Sequence, residues 1–300
     1  MCDMARLLLF CCLTWLLSCN AQAQLSAAAV WAVEAETRYN FQPDLTYLTS
    51  DDIELKLDIY SRRDVTTPQP TLIFFHGGFW VGGSKNTQLT ALLPWLEKGW
   101  NVVNVGYRLG GTAAAPAALI DAFHALRFIQ DNAAMYNIDV NRIVASGQSA
   151  GGHLALSLGM LTDAEIEGFA DFATLTPVAA VINWFGVTDV ADVIAGEHRS
   201  DAAARWFGDM PETQALALAR QLSPIHYVRE GLPAILSIQG DADTVVPYAH
   251  SLALQEALAR TSVPNRLLTI PGGGHGRFTA QERQLIYTTI NTFLRENGLE

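Results

Sequence analysis

Gly147-Gln148-Ser149-Ala150-Gly151 lies between the apolar run Arg142–Ser146 and a helical pattern over Ala150–Met160. A serine hydroxyl is a weak nucleophile. It needs exposure, a base to take its proton and fixed donors for the oxyanion that forms when it attacks a carbonyl. A turn from strand straight into helix supplies the exposure. Such a turn leaves little room for flanking side chains, which accounts for glycine on both sides, and it lifts Ser149 Oγ above the sheet edge. It also puts the Ala150 N–H at a helix N-terminus, where backbone donors are unsatisfied. The competing reading is a chance Gly/Ser turn in a chain with 23 glycines. The strand before and the helix after argue against it.

Seven histidines are available as the base. His124 and His153 fall inside helical patterns and read as structural. His76 sits beside two glycines, and His198, His226 and His250 fall in or after a long central stretch. His275 lies in Pro271-Gly-Gly-Gly-His-Gly276, straight after the apolar run Arg266–Ile270. A glycine-rich loop there can carry an imidazole over the sheet edge, so His275 is the expected base. That imidazole needs an acid to fix its tautomer. Asp241 and Asp243 both follow the run Ala234–Ile238 and both remain candidates on position alone. Phe75-His76-Gly77-Gly78-Phe79-Trp80 follows the run Thr71–Phe75, and its glycines allow backbone N–H groups to face a substrate.

These segments need a scaffold that brings strand ends together. Ile53–Tyr60 alternates with period two, as a half-buried edge strand would, and Leu45–Leu48 is a further short strand. Thr71–Phe75, Val102–Val105, Ile143–Ala145, Val178–Ile182, Ala234–Ile238 and Arg266–Ile270 are more continuously apolar, which suits a mostly parallel sheet covered on both faces. Helical patterns over Asn86–Glu97, Ala117–Asn132, Ala150–Met160, Tyr248–Arg260 and Thr279–Arg295 fall between them. Alternation of this kind predicts a doubly wound α/β sandwich. The stretch 183–229 exceeds a simple crossover and reads as a small helical cap over the carboxyl edge of the sheet, where such folds bind ligands.

Composition narrows the partners. Half the residues are hydrophobic and 16% are charged, which excludes an extended disordered chain. A net charge of −11 argues against nucleic acid or an anionic membrane surface. All four cysteines precede Asn20, so the remainder has no disulfide, thiolate metal site or cysteine nucleophile. Arg6, the apolar run Leu7–Leu17 and Ala21-Gln22-Ala23 read as a signal peptide over 1–23, cleaved before Gln24, and 24–300 as one catalytic domain. Eleven apolar-rich residues are too few to span a bilayer. Leu16-Leu17-Ser18-Cys19 resembles a lipobox, so acylation at Cys19 is the alternative; either way the chain is exported.

HGGFWVGGSK (76–85), GYRL (106–109), GQSAGGHLA (147–155), NWFGVTDV (183–190), SPIHYV (223–228), GDADTVVP (240–247) and PGGGHG (271–276) together resemble the α/β-hydrolase esterases. The resemblance is to the secreted branch holding bacterial bifunctional feruloyl and acetyl-xylan esterases. It implies an eight-stranded sheet and a Ser149, Asp243, His275 triad in that chain order, and it selects Asp243 over Asp241. It further implies an oxyanion hole at Gly77, Gly78 and Ala150, with no metal or organic cofactor. Phe79 replaces the third glycine usual after the oxyanion-loop histidine, and Gln239 replaces the histidine usual before the GDADTVVP segment. Phe79, Trp80 and Trp184 are candidate substrate contacts.

The implied function is a secreted serine carboxylesterase acting on small acyl or aryl esters, including acetyl or feruloyl groups of plant polysaccharide. An exported peptidase and an arylformamidase-like amidase are the enzymatic alternatives. A hydrolase fold turned to binding is the non-enzymatic one, although no triad or oxyanion residue is missing.

Overall fold

The computed structural model describes residues 25–161, 166 and 169–300. The signal segment, its cleavage site and Cys19 lie outside the described residues. The chain divides into two compact units, Met1–Arg38 and Tyr39–Glu300. The described part of the first is helix α1 (Ala27–Arg38), none of whose side chains is buried. Everything relevant to chemistry belongs to the second unit.

That unit is built on eight strands: β1 (Tyr39–Ser50), β2 (Ile53–Arg62), β3 (Gln69–Phe75), β4 (Asn101–Val105), β5 (Ile138–Gln148), β6 (Ala180–Trp184), β7 (Ala234–Gly240) and β8 (Asn265–Ile270). They form one sheet in the order β1-β2-β4-β3-β5-β6-β7-β8. The β1–β2 and β2–β4 pairs are antiparallel, and every later pair is parallel. Helices α2 (Leu89–Glu97), α3 (Ala117–Asp131), α4 (Ala150–Met160), α8 (Tyr248–Leu258) and α9 (Ala280–Glu296) flank it. This is the α/β-hydrolase architecture. All residues of β4, β6 and β7 are buried, as continuous apolar runs covered on both faces should be.

Three expectations need correction. β2 is not an edge strand; β1 lies outside it, and runs well beyond the expected Leu45–Leu48. A register shift between Gln42 and Leu45, at Pro43 and a left-handed Asp44, breaks the alternation that would have revealed β1's length. β8 closes the other edge, and only Ile270 of its residues is buried. The stretch 183–229 does not begin as an insertion, because Asn183 and Trp184 complete β6. The remainder forms α5 (Val190–Ala195), α6 (Asp201–Ala204) and α7 (Glu212–Gln221), with 3-10 turns at Arg205–Phe207 and Pro224–Tyr227. Val190, Trp206, Ala219 and Leu222 are completely buried in it.

The GYRL segment follows β4 and ties loops to helices. The Arg108 guanidinium forks onto Asp121 of α3, with Nε and Nη2 both donating to Oδ1 at 3.0 and 2.7 Å. The Tyr107 hydroxyl donates to the His76 carbonyl at 2.8 Å, and its ring stacks on the His76 imidazole. Sequence spacing therefore translates into braces for the loop after β3.

A tight crossing joins β3, β5 and α4. A Cβ at Gly151 would fall inside the carbonyl oxygens of Phe75 and His76, and one at Gly147 inside the Gly151 carbonyl. None of these atoms is the end of a flexible side chain. Gly151→Ala is therefore expected to lower stability by about 3 kcal/mol, the upper range for overpacking, through forced backbone shifts. Urea midpoints of variant and wild type check this; equal midpoints would show that the crossing has slack.

Candidate active site

Ser149 occupies the turn between β5 and α4 with φ 56° and ψ −118°, a left-handed backbone that few side-chain-bearing residues adopt. Its N–H donates to the Trp184 carbonyl at the end of β6, 2.9 Å away, and its carbonyl accepts from His153 N at 3.0 Å. Its side chain caps no helix N–H, which leaves Oγ available. Ala150 is the first residue of α4, so its N–H has no acceptor within the helix.

A cavity of about 320 Å³ opens over this turn. It is lined by Gly77, Gly78 and Phe79 of the loop after β3, by Gln148 and Ser149, by Trp184 and Phe185, and by His275, Gly276, Phe278 and Arg283. The volume suits a small acyl or aryl group. Among the described residues, no group of three or more His, Cys, Asp or Glu side chains could hold a metal.

His275 is the histidine that lines this cavity. Its Nδ1 donates to Asp243 Oδ2 at 2.7 Å, which leaves Nε2 as the proton acceptor. The Phe185 ring meets the imidazole edge-on at 4.6 Å. Asp243 sits behind the histidine with its carboxylate fully used. Oδ1 accepts from Val245 N and Val246 N at 2.8 and 3.1 Å, and Oδ2 also accepts from Gln239 Nε2 at 2.9 Å. Asp241 instead accepts from Gly272 N across the turn at 2.6 Å and does not face the imidazole.

Gly78 holds φ 131°, and its carbonyl accepts from Val81 N and Gly82 N. A Cβ there would fall inside the Gly82 carbonyl, so this turn requires glycine. The next two residues, Phe79 and Trp80, are left-handed as well, with φ 53° and 59°. Each carries a strain of roughly 1–2 kcal/mol.

Trp80 is not at the cavity. It is completely buried, stacked on Trp206 at 4.4 Å, with Nε1 donating to His153 Nδ1 at 3.1 Å. An apolar ring next to a strained turn gains more from burial than from exposure, so it serves as a strut for the loop. Trp206 comes from the insertion after β6. No residue of 186–229 is among those lining the cavity, and this segment meets the loop after β3 through the Trp206–Trp80 stack.

The structure thus brings together Ser149, Asp243, His275, Gly77, Gly78, Phe79 and Trp184, and it sets Trp80 apart in the core. It adds Gln239, Phe185, Phe278 and Arg283 to them. Gln239 was noted only as a departure from a resembling pattern. In the structure it donates to Asp243 Oδ2 and the Val246 carbonyl and accepts from Ser251 Oγ. Phe278 and Arg283 carry no local signal beyond their place just after His275.

A serine on a strand-to-helix turn and a carboxylate-held histidine line one cavity at the end of a mostly parallel sheet, the arrangement of the α/β-hydrolase fold. The chain belongs to the BD-FAE family, whose profile matches residues 57–258. Esterase LipC of Mycobacterium tuberculosis is 32% identical over 243 residues, covering 76% of this chain and 58% of LipC. The chain thus spans a little over half the length of that curated relative. A truncated carbohydrate esterase from gut microbiota superposes with a TM-score of 0.73 at 28% identity, covering 87% of this chain and 98% of that one. Esterase 2 of Thermogutta terrifontis phosphonylated by cyclosarin gives 0.70 at 27% identity, covering 85% and 94%.

The histidine under the loop sets a pH limit. His153 accepts from Trp80 at Nδ1 and donates from Nε2 to the Leu222 carbonyl at 2.8 Å, so both nitrogens of the neutral ring are used. Burial pushes its pKa from 6.5 down to about 4. Between those values the unfolded chain binds more protons than the folded one, so this contribution is intact above pH 6.5 and lost as pH falls towards 4. His153→Gln removes the titration. The stability advantage of wild type over this variant should shrink by about 3 kcal/mol between pH 7 and pH 4, read from paired urea titrations. An advantage that is constant with pH would contradict a neutral, buried His153.

Proposed function

We propose that the protein is an exported serine carboxylesterase that hydrolyses small acyl or aryl esters, acetyl and feruloyl substituents of plant polysaccharide among them. The observation that carries this reading is the 2.7 Å bond from His275 Nδ1 to Asp243, with His275 and Ser149 lining one cavity. The carbohydrate esterase and the phosphonylated esterase among its structural neighbours support it. The apolar segment Leu7–Leu17 with Ala21-Gln22-Ala23 supports export, with Cys19 acylation as the alternative mode.

Ser149 Oγ attacks the ester carbonyl carbon while His275 Nε2 takes its proton. Asp243 keeps Nδ1–H in place and stabilises the imidazolium. The carbonyl oxygen becomes an oxyanion that accepts from Ala150 N–H and from the Gly77 and Gly78 N–H groups. Each such donor supplies on the order of 10²–10³ in rate. When the C–O bond breaks, His275 gives its proton to the departing alcohol and leaves Ser149 acylated. A water molecule, deprotonated by His275, then attacks the acyl carbon, and the proton returns to Ser149 as the acid leaves. Phe79, Phe185 and Phe278 give the cavity the apolar walls that an acyl or aryl group needs.

Hydrolysis of a p-nitrophenyl ester series from acetate to decanoate, with methyl ferulate and acetylated xylan alongside, tests this. Turnover should peak at the short end of the series, and Ser149→Ala should reduce kcat by at least about 10³ with an unchanged unfolding midpoint. Undiminished turnover in that variant would overturn the reading.

A further inference from the structure

We propose that the cavity is built for esters whose alcohol carries a carboxylate, such as an O-acylated uronic-acid unit of an acidic polysaccharide, and that Arg283 selects them. The inference rests on the esterase reading and names its substrate class.

Arg283, on α9, is exposed and lines the same cavity as Ser149 and His275. Its Nη2 donates to the Gly276 carbonyl at 3.1 Å, which tethers the guanidinium to the residue following His275 and leaves its other N–H groups for a ligand. No carboxylate lines the cavity. The adjacent acid, Glu282, is committed to the helix cap, accepting from Thr279 N at 2.6 Å. Asp243 is covered by His275 and already accepts from four donors. Arg283 is therefore a cation facing the reaction space with no ion-pair partner among the described residues.

The side it occupies follows from the chemistry. His275 must protonate the departing alkoxide, so the alcohol half of the ester lies against His275 and the acyl half lies away from it. An arginine tethered one residue beyond His275 meets the alcohol half. The planar guanidinium pairs with a carboxylate through two parallel hydrogen bonds, which a neutral sugar cannot offer. The chain's net charge of −11 would repel a polyanion at long range, but salt screens beyond about 8 Å and leaves the local cation in control.

The test compares kcat/KM for 4-carboxyphenyl acetate and its neutral match, 4-carbamoylphenyl acetate, in wild type, Arg283→Gln, Arg283→Lys and Arg277→Gln. Arg277 is exposed on the loop that carries His275, before α9, and is outside the cavity lining, so its variant removes equal charge without removing the contact. The carboxyl-to-carbamoyl ratio should fall about tenfold in Arg283→Gln, fall less in Arg283→Lys and hold in Arg277→Gln. The wild-type ratio should also decline with added salt. Labelling of Ser149 by a fluorophosphonate in each variant shows that its site is assembled. A ratio unchanged in Arg283→Gln, or lowered equally in Arg277→Gln, overturns the proposal while the esterase reading stands. A loss confined to mono-4-nitrophenyl succinate against 4-nitrophenyl butyrate moves the anion to the acyl half and overturns the side assigned here. Failure of wild type to hydrolyse any of these esters sinks both readings together.

Discussion

Ser149 sits at a left-handed φ of 56° because the backbone around it has no room to relax. Gly151 packs against the Phe75 and His76 carbonyls, and Gly147 packs against Gly151. The bond from Ser149 N to the Trp184 carbonyl pins the turn from the next strand. Strain of this kind persists only where surrounding contacts over-determine it. The same crossing sets the position of α4, so the free Ala150 N–H, the hydroxyl and the loop after β3 share one rigid reference. If the crossing loosened, the proposed donors and the proposed nucleophile would lose register together.

The loop bearing Gly77 and Gly78 is strained in its turn, and its support comes from distant segments. Trp80 is held between His153 of α4 and Trp206 of the insertion after β6. Tyr107 braces the His76 carbonyl from the loop after β4. Burial lowers the His76 pKa, and its Nδ1 donates to the Gly77 carbonyl, so the ring serves as a neutral linker within the loop. The insertion thus acts on the site through packing, without contacting the cavity. Outside the cavity lining, Asp243 Oδ2 is shared by Gln239 and His275, so the acid is oriented by the body of the sheet and not by the histidine alone.

Much of this was legible in the sequence because the chemistry sits where strand patterns end. The strand–turn–helix context of Ser149, the glycine-rich loop of His275 and the apolar runs of the central strands are local signals, and local signals survive without coordinates. Position alone leaves Asp241 and Asp243 undecided, since both follow β7; the resemblance selects Asp243, and the turn sets Asp241 against Gly272 and Asp243 against His275. Trp80 was misread because an aromatic beside a glycine loop looks exposed, whereas its partner Trp206 lies far along the chain. Arg283 was overlooked for the same reason: a surface arginine on an amphipathic helix has no signature until the helix is docked. β1 was cut short because Pro43 and a register shift erased its alternation.

Activation of the proposed nucleophile Ser149 by His275 is tested by the rate of covalent capture of a fluorophosphonate in wild type and His275→Ala, with the modified residue mapped by peptide mass spectrometry. A single adduct on Ser149 is expected, formed at least about 10²-fold more slowly without the imidazole. An adduct on another residue, or capture at an unchanged rate in His275→Ala, would contradict it.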